Sequence, residues 1–261
     1  QQKNRWEVSG SQGPGPLRTW RNHKFMTSLM GALYSLKMTE VSANTLRVCL
    51  SLRKYTASQF KPAVAKTLYD FFKAETIIDF SMGWGDRLCG FYASDYGKKY
   101  IGLDPKEDNH PIYQKQAEFY KKHNGFFEHE REHVFHCNPA EDFDFSIYKD
   151  QVDLIFTSPP YFNREQYSQD EKQSFRAYGE YEDWRDNFLK PTLTTIYEYL
   201  KNDRYILWNI ADIKIGKSIY FPLEQDSIDI LQSLGGEYKY TLKMLMTSMV
   251  GVDQENVKNK R

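Results

Sequence analysis

The fold is decided by residues 76–86, which read Thr76-Ile77-Ile78-Asp79-Phe80-Ser81-Met82-Gly83-Trp84-Gly85-Asp86. A short apolar run that ends in an acid predicts a buried strand, and the residues from Asp86 to Tyr96 have the apolar spacing of a helix. Two glycines between the strand and the helix let the backbone turn tightly and let a ligand approach the main chain. The segment therefore predicts a strand, a ligand-binding turn and a helix.

The same alternation of strand and helix continues along the chain. The predicted strands are residues 76–80, 99–103, 134–137, 152–156, 205–210 and 238–246, and the predicted helices are residues 63–72, 86–96, 111–123, 184–200 and 222–234. Helices between strands require crossover connections, which predict an α/β fold with a mostly parallel central sheet and helices on both faces. Ligands of such sheets bind beyond the carboxyl ends of the strands.

An acid also follows the second predicted strand. The carboxylate of Asp104 can accept two hydrogen bonds from a ribose diol, as the corresponding acid does in dinucleotide-binding folds. Leu88 occupies the position where a dinucleotide-binding enzyme has its third glycine, which argues against NAD. Asp79 would repel a pyrophosphate but can accept hydrogen bonds from a ligand that carries an ammonium group.

The fourth predicted strand is followed by Thr157-Ser158-Pro159-Pro160-Tyr161. Two consecutive prolines cannot extend a central strand because neither has an N–H to donate, so the chain must leave the sheet with its carbonyls free. Fixed acceptors of this kind can hold both N–H groups of an exocyclic amine and stabilise positive charge that develops on its nitrogen. A plain structural turn is the alternative interpretation.

In this order the motifs resemble class I S-adenosylmethionine-dependent methyltransferases, specifically the amino-methyltransferases of DNA with a [DNS]-P-P-[YFW] motif. The resemblance covers about residues 58–250. It implies a Rossmann-like fold, S-adenosylmethionine as cofactor, and methyl transfer to cytosine N4 or adenine N6, with base flipping and a place in restriction-modification. RNA bases, protein glutamine, and nucleic-acid binding without catalysis remain the alternatives.

The resemblance also assigns roles to residues. Ser158 and the Pro159 carbonyl would bind the target amine, Pro160 would complete the catalytic motif, and Tyr161 would stack on a flipped base. Cofactor binding is implied for Phe60, Pro62, Asp79, Ser81, Gly83, Gly85, Asp104 and either Glu141 or Asp142. Pro62 could instead simply open a helix. The choice between the last two acids is open because Pro139 occupies the position where an Asp is usual.

The charge of the chain is unevenly placed. The net charge is zero, yet residues 1–66 hold eleven Lys and Arg against two Glu. We expect a basic, partly irregular extension over residues 1–57, a methyltransferase domain over 58–250 and a polar tail over 251–261. A basic lobe suits contact with nucleic acid, with DNA as the expected partner, although a solvated surface is the simpler interpretation. No seventh strand is evident, so either that strand is missing from this fragment, or another segment, a partner chain or a second copy completes the sheet.

Other features restrict the class of protein. No apolar run approaches the roughly 20 residues of a membrane helix, and three widely spaced cysteines without a CxxC pair favour an intracellular protein, cytoplasmic or nucleoid-associated. Residues 129–133, His-Glu-Arg-Glu-His, match the HExxH pattern of zinc proteases. That pattern requires a helix, whereas this segment precedes a predicted strand, so we expect no metal.

Overall fold

The computed structural model describes residues 3–10, 13–53, 57, 59–123, 130–166, 174–215 and 218–244. The chain divides into two compact units. The first consists of residues 59–163 and 170–238, with Gln1, and the second of residues 2–58, 164–169 and 239–261. No helix in the described ranges is long and apolar enough to cross a membrane.

Helices and strands alternate along most of the described ranges. The helices are α1 (Pro16–Arg21), α2 (His23–Ser35), α3 (Ala43–Arg53), α4 (Pro62–Phe71), α5 (Asp86–Ala93), α6 (His110–His123), α7 (Ser174–Ala177), α8 (Tyr181–Trp184), α9 (Lys190–Tyr199) and α10 (Leu223–Ser233). The strands are β1 (Ser9–Gly10), β2 (Thr76–Asp79), β3 (Lys99–Leu103), β4 (Glu132–His136), β5 (Val152–Thr157), β6 (Glu165–Gln166), β7 (Leu200–Trp208), β8 (Ile213–Ile215) and β9 (Ile219–Phe221). A π-helical turn, Arg185–Leu189, joins α8 to α9.

The first unit is built on a five-stranded sheet in the order β4-β3-β2-β5-β7. Each pair of neighbouring strands in it is parallel. The predicted α/β fold with a mostly parallel sheet is therefore confirmed. Because the chain runs from β2 outward to β4 and then returns to the other side of β2 as β5, the strand order reverses between β2 and β5, where such sheets bind ligands.

The two faces of the sheet are covered by separate apolar clusters. Side chains of successive strand residues point to opposite faces, so Ile77 and Leu154 lie in one cluster while Ile78 and Ile155 lie in the other. All four side chains are buried. Helices α4 and α5 pack closely because Gly90 has no side chain: an added Cβ would lie 2.5 Å from the Ala65 Cβ.

The second unit contains α1, α2 and α3 with a small apolar core. Leu29, Ala32 and Leu33 of α2 are buried against Cys49 of α3. Strand β1 pairs with β6 in antiparallel fashion. Within the extension that was expected to be partly irregular, Pro16, whose fixed φ suits the first helical turn, begins α1.

The prediction of a sixth strand over residues 238–246 was also wrong in the part that the structure describes. Residues 238–244 are not in a strand, and residues 245 and 246 lie outside the described ranges. Tyr238, Tyr240 and Leu242 alternate as a strand would, but all three are exposed, so no core stabilises that conformation. The expectation that another segment or chain completes the sheet stays a prediction.

Candidate active site

The turn between β2 and α5 depends on its two glycines. Gly83 and Gly85 both have positive φ, +58° and +79°, where a side chain is strained. A Cβ at Gly85 would clash with the side-chain oxygen of Gln116, whereas a Cβ at Gly83 would meet only the Ser81 carbonyl oxygen, 3.9 Å away. Gly85 is thus favoured mainly by its left-handed backbone, since the Gln116 side chain could shift, and Gly83 borders open space that a ligand can approach.

Asp79, at the end of β2, is fully buried and already accepts five hydrogen bonds from protein donors. Its carboxylate accepts from Arg87 Nε (2.8 Å) and Nη2 (3.0 Å), Tyr100 Oη (2.6 Å), Thr157 Oγ1 (2.9 Å) and the Ser81 backbone N–H (3.3 Å). Burial disfavours the Arg87 charge, but the Asp79 carboxylate outweighs burial and raises the guanidinium pKa. A contact between Asp79 and a ligand ammonium group stays a prediction, since a ligand would have to displace one of these donors.

Asp104 lies at the end of β3, next to the glycine turn. Its Oδ1 accepts from the Lys106 backbone N–H at 2.8 Å, and its Oδ2 accepts from Tyr113 Oη, also at 2.8 Å. The same Tyr113 hydroxyl lies 2.5 Å from the Gly83 carbonyl oxygen. Burial raises the pKa of Asp104, and these hydrogen bonds partly offset the rise. Tyr113, which the sequence did not single out, therefore links the predicted ribose acid to the glycine turn.

The loop after β4 runs beside Asp104, whose backbone N–H donates to the His136 carbonyl oxygen at 3.2 Å. Of the two acids left open for the adenine contact, Glu141 is partly buried and Asp142 is exposed. Burial raises the pKa of Glu141, and the nearby Asp142 charge adds to the rise. Glu141 is therefore the more sheltered of the two, and a contact of either acid with the adenine stays a prediction.

Phe60 and Pro62 lie beside α5. The Phe60 ring packs edge-on against Phe156, with ring centres 5.6 Å apart, and the Arg87 guanidinium lies 5.5 Å from the Phe60 ring centre. Pro62 occupies the first turn of α4, as the simpler interpretation of that residue expects. A contact of either residue with cofactor stays a prediction.

The Ser-Pro-Pro-Tyr motif leaves the sheet at the carboxyl end of β5 and forms a closed hydrogen-bond triangle with Asn209. Asn209 Nδ2 donates to Ser158 Oγ at 3.0 Å and to Tyr161 Oη at 3.1 Å. Tyr161 Oη in turn donates to the Asn209 carbonyl oxygen at 2.8 Å, and Ser158 Oγ lies 3.4 Å from Tyr161 Oη. We call these three residues the Ser-Tyr-Asn triangle.

Asn209 was missed by the sequence interpretation. It directly follows β7, which lies beside β5, and its backbone N–H donates to the Thr157 carbonyl oxygen at 3.0 Å. A polar residue after an apolar strand at the same edge of a parallel sheet is a signal that could have marked it.

The two proline carbonyls of the motif differ in their surroundings. The Pro160 carbonyl oxygen accepts from the Phe162 N–H at 3.1 Å, whereas the described residues supply no hydrogen-bond donor to the Pro159 carbonyl oxygen. Phe162 has a positive φ of +44° and is buried. Its ring contacts Tyr181, Trp184 and Phe221. This packing holds the strained residue, and with it the end of the motif, in one conformation.

The HExxH segment does not form a helix where it is described. His133 lies in β4, and its Nδ1 is 2.8 Å from Tyr92 Oη while its Nε2 is 3.2 Å from Gln114 Oε1. His129 lies outside the described residues. Within the described ranges, no group of three or more His, Cys, Asp or Glu side chains could hold a metal ion.

Comparison with known proteins relates the motif to one family. Residues 152–258 match the DNA methylase family. A comparison with curated proteins gave no significant match.

Three solved methyltransferase structures show partial similarity to this chain. The StiE O-MT structure has a TM-score of 0.41 and 12% identity, over 66% of this chain and 48% of that one. A putative S-adenosylmethionine-dependent methyltransferase from Listeria monocytogenes has a TM-score of 0.33 and 15% identity, over 56% and 51%. A geranyl diphosphate methyltransferase in complex with SAM has a TM-score of 0.36 and 14% identity, over 72% and 54%. This chain thus spans about half the length of each of these structures.

The family match begins at β5 and includes the whole Ser-Pro-Pro-Tyr motif. The predicted relationship to the amino-methyltransferases is therefore confirmed. Residues 152–258 of this chain are thus similar to the DNA methylase family.

Proposed function

We propose that this methyltransferase transfers the methyl group to an exocyclic amino group of a base in DNA, either cytosine N4 or adenine N6. The observation that carries the proposal is the Ser-Tyr-Asn triangle beside the Pro159 carbonyl. Together they offer an amine two acceptors at the carboxyl edge of the sheet.

The directions of the hydrogen bonds in the triangle make Ser158 an acceptor. The Tyr161 proton is committed to the Asn209 carbonyl oxygen, and one Asn209 amide hydrogen points at Ser158 Oγ. The Ser158 hydroxyl hydrogen is directed toward Tyr161 Oη. A hydroxyl oxygen has two lone pairs, so one remains for a hydrogen of the target amine.

The Pro159 carbonyl supplies the second acceptor. An amine held by two fixed acceptors is favoured in its pyramidal form, in which the nitrogen lone pair is available for reaction. The same dipoles stabilise the positive charge that develops on the nitrogen, and the proton can leave after the methyl group has been transferred. No carboxylate or imidazole base is needed, which agrees with the neutral side chains of the triangle.

The residues around the glycine turn fit the cofactor. Asp104 presents a buried carboxylate that suits a ribose diol, and Gly83 leaves open space beside the main chain. S-adenosylmethionine, when bound, supplies an electrophilic methyl group. Glu141 would contact the adenine, Ser81 and the glycines would line the methionine portion, and Tyr161 would stack on the flipped base.

The experiment that tests the proposal supplies the full chain with S-adenosylmethionine labelled in its methyl group, together with duplex DNA, RNA or protein in separate reactions. Mass spectrometry of the digested products is expected to show N4-methylcytosine or N6-methyladenine from DNA. Label found only in RNA, or only in protein glutamine, would show that this molecule is the substrate and DNA is not. Cofactor binding without transfer to any of the three would support the alternative of an inactive nucleic-acid-binding relative.

A further inference from the structure

Charge is divided unequally between the two compact units. The second unit carries fifteen Lys and Arg against five Asp and Glu, whereas the first unit, which holds the candidate active site, carries twenty against thirty. A unit with an excess of carboxylates repels a polyanion such as DNA. Attraction for a phosphate backbone must therefore come mainly from the second unit.

Cations of the second unit are concentrated at the junction of α1 and α2. Arg18, Trp20, Arg21 and Lys24 are all exposed, and we call them the α1–α2 patch. The sequence contains no acid between Glu7 and Glu40. None of the three cations forms an ion pair with a described residue, so their charge is not neutralised within the described part of the unit.

A cavity of about 520 Å³ lies within this patch, lined by Glu7, Leu17, Arg18, Arg21 and Asn22. Arg18 and Arg21 are two of its lining residues, and guanidinium groups can bind phosphate oxygens in a bidentate manner. The side-chain oxygen of Asn22 caps α2 by accepting from the Phe25 N–H at 3.2 Å. Glu7 is the one acid in the lining and opposes an anion there.

An exposed indole stands beside the cations. Trp20 is 65% exposed, so its ring is accessible to a ligand. Aromatic rings beside cations are typical of nucleic-acid surfaces, where they pack on sugars and bases. Apolar and cationic groups in one patch thus match a sugar-phosphate backbone better than they match a folded apolar partner.

We propose that the α1–α2 patch docks the sugar-phosphate backbone of duplex DNA, with Arg18 and Arg21 on one phosphate, Lys24 on a neighbouring phosphate and Trp20 against the sugar. The choice of DNA among polyanions rests on the proposed function; the choice of surface rests on the charges and exposures of the patch. Because the patch contacts the backbone, it supplies affinity without reading the sequence.

The test measures binding of the full chain, without cofactor, to a fluorescein-labelled DNA duplex at several salt concentrations. The test variant is Arg18→Gln/Arg21→Gln/Lys24→Gln. The control is Lys115→Gln/Lys122→Gln/Lys190→Gln, which removes the same charge from exposed positions of the first unit.

Each lost phosphate contact reduces the magnitude of the slope of log K against log salt by about 0.9, so loss of the two proposed phosphate contacts should reduce it by about 2. We expect its affinity near 0.1 M salt to fall at least tenfold and that of the control to change less than twofold. Trp20→Ala should weaken binding about fivefold with the slope unchanged, which identifies a contact of the ring itself.

Equal losses in the patch and control variants would show that only total charge matters and would overturn the proposal. Retained affinity in the patch variant, or stronger competition by RNA of equal length than by unlabelled duplex, would overturn it as well. Because binding is measured without cofactor, loss of DNA binding in the patch variant supports the docking surface even when the wild type methylates nothing. Failure of methylation alone therefore counts against the proposed function and not against the patch.

Discussion

Asn209→Ala should separate the orientation of the Ser158 hydroxyl from the position of the Tyr161 ring. The substitution removes both Nδ2 hydrogen bonds, at 3.0 and 3.1 Å, but keeps the backbone carbonyl that accepts from Tyr161 Oη. The Tyr161 ring therefore keeps its anchor. The Ser158 hydroxyl can then rotate and point its hydrogen at the target amine, where a donor opposes binding of another donor.

A net hydrogen bond between neutral groups contributes about 0.5–1.5 kcal/mol. With two such bonds removed, the transition state should lose about 1–3 kcal/mol, which corresponds to roughly a 5-fold to 150-fold decrease in kcat/KM. The assay is the initial rate of label transfer from methyl-labelled S-adenosylmethionine to duplex DNA. Cofactor affinity, measured by calorimetry, should stay within about twofold of the wild type because Asn209 has no predicted contact with the cofactor.

The matched control is the same substitution in a Ser158→Asp background. A carboxylate is always an acceptor and needs no donor to orient it, so Asn209→Ala should cost much less there. The difference between the two costs is the coupling free energy of a double-mutant cycle. If Asn209→Ala lowers kcat/KM by the same factor in both backgrounds, Asn209 does not act through Ser158 and the role assigned to the triangle is wrong.

Substitutions at the predicted cofactor residues, and at the arginine that neutralises Asp79, give three more expected outcomes. Asp104→Asn should weaken S-adenosylmethionine binding, measured by calorimetry, about 10-fold to 100-fold. Because burial raises the Asp104 pKa, the affinity of the wild type for the cofactor should fall as the pH is lowered through that raised pKa. The contribution of Asp104 to folding stability has the opposite sign and is lost as the pH rises through the same pKa. Arg87→Met should lower the free energy of unfolding in urea by about 3–5 kcal/mol, since it leaves the buried Asp79 carboxylate without its cation. The control, Lys98→Met, removes an exposed ion pair and should lower it by less than about 1 kcal/mol. Equal losses in the two variants would contradict the importance assigned to the buried pair. Gly85→Ala should lower stability by at least about 1–2 kcal/mol for its left-handed backbone alone, and an unchanged thermal midpoint would show that the turn can relax.

Strands with neighbours on both sides could be predicted well from the sequence. The predicted strand over residues 99–103 coincides with β3, and that over 152–156 differs from β5 by one residue. Apolar residues in these strands are buried on both faces, so their positions are visible as unbroken runs. β7 begins at Leu200 rather than at the predicted Tyr205, because its first residues are polar and largely exposed.

The site residues could be predicted from the sequence only where they form a motif of consecutive or nearly consecutive residues. The Ser158–Tyr161 motif and the Gly-x-Gly turn are local, and their position after a strand follows from the apolar pattern. Asn209 and Tyr113 were not found, because their importance lies in hydrogen bonds across the fold to residues 51 and 30 positions away. No local pattern encodes a partner at that distance.

The hydrogen bonds that the Asp79 carboxylate accepts from other side chains could not be predicted from the sequence for the same reason. An acid at the end of a strand beside a glycine turn has the same sequence pattern whether it faces a ligand or a buried arginine. The distinction depends on Arg87, which lies in the first turn of α5 and directs its guanidinium back to the end of β2.

The bond between Thr157 Oγ1 and Asp79 joins the two halves of the site through space, across 78 residues of chain. Thr157 directly precedes the Ser-Pro-Pro-Tyr motif, and Asp79 ends the strand that carries the cofactor turn. This link, like the pairing of β2 with β5, does not depend on the covalent connection between them. Two separately expressed pieces, cut in the segment between α6 and β4, should therefore be able to reassemble into an active site.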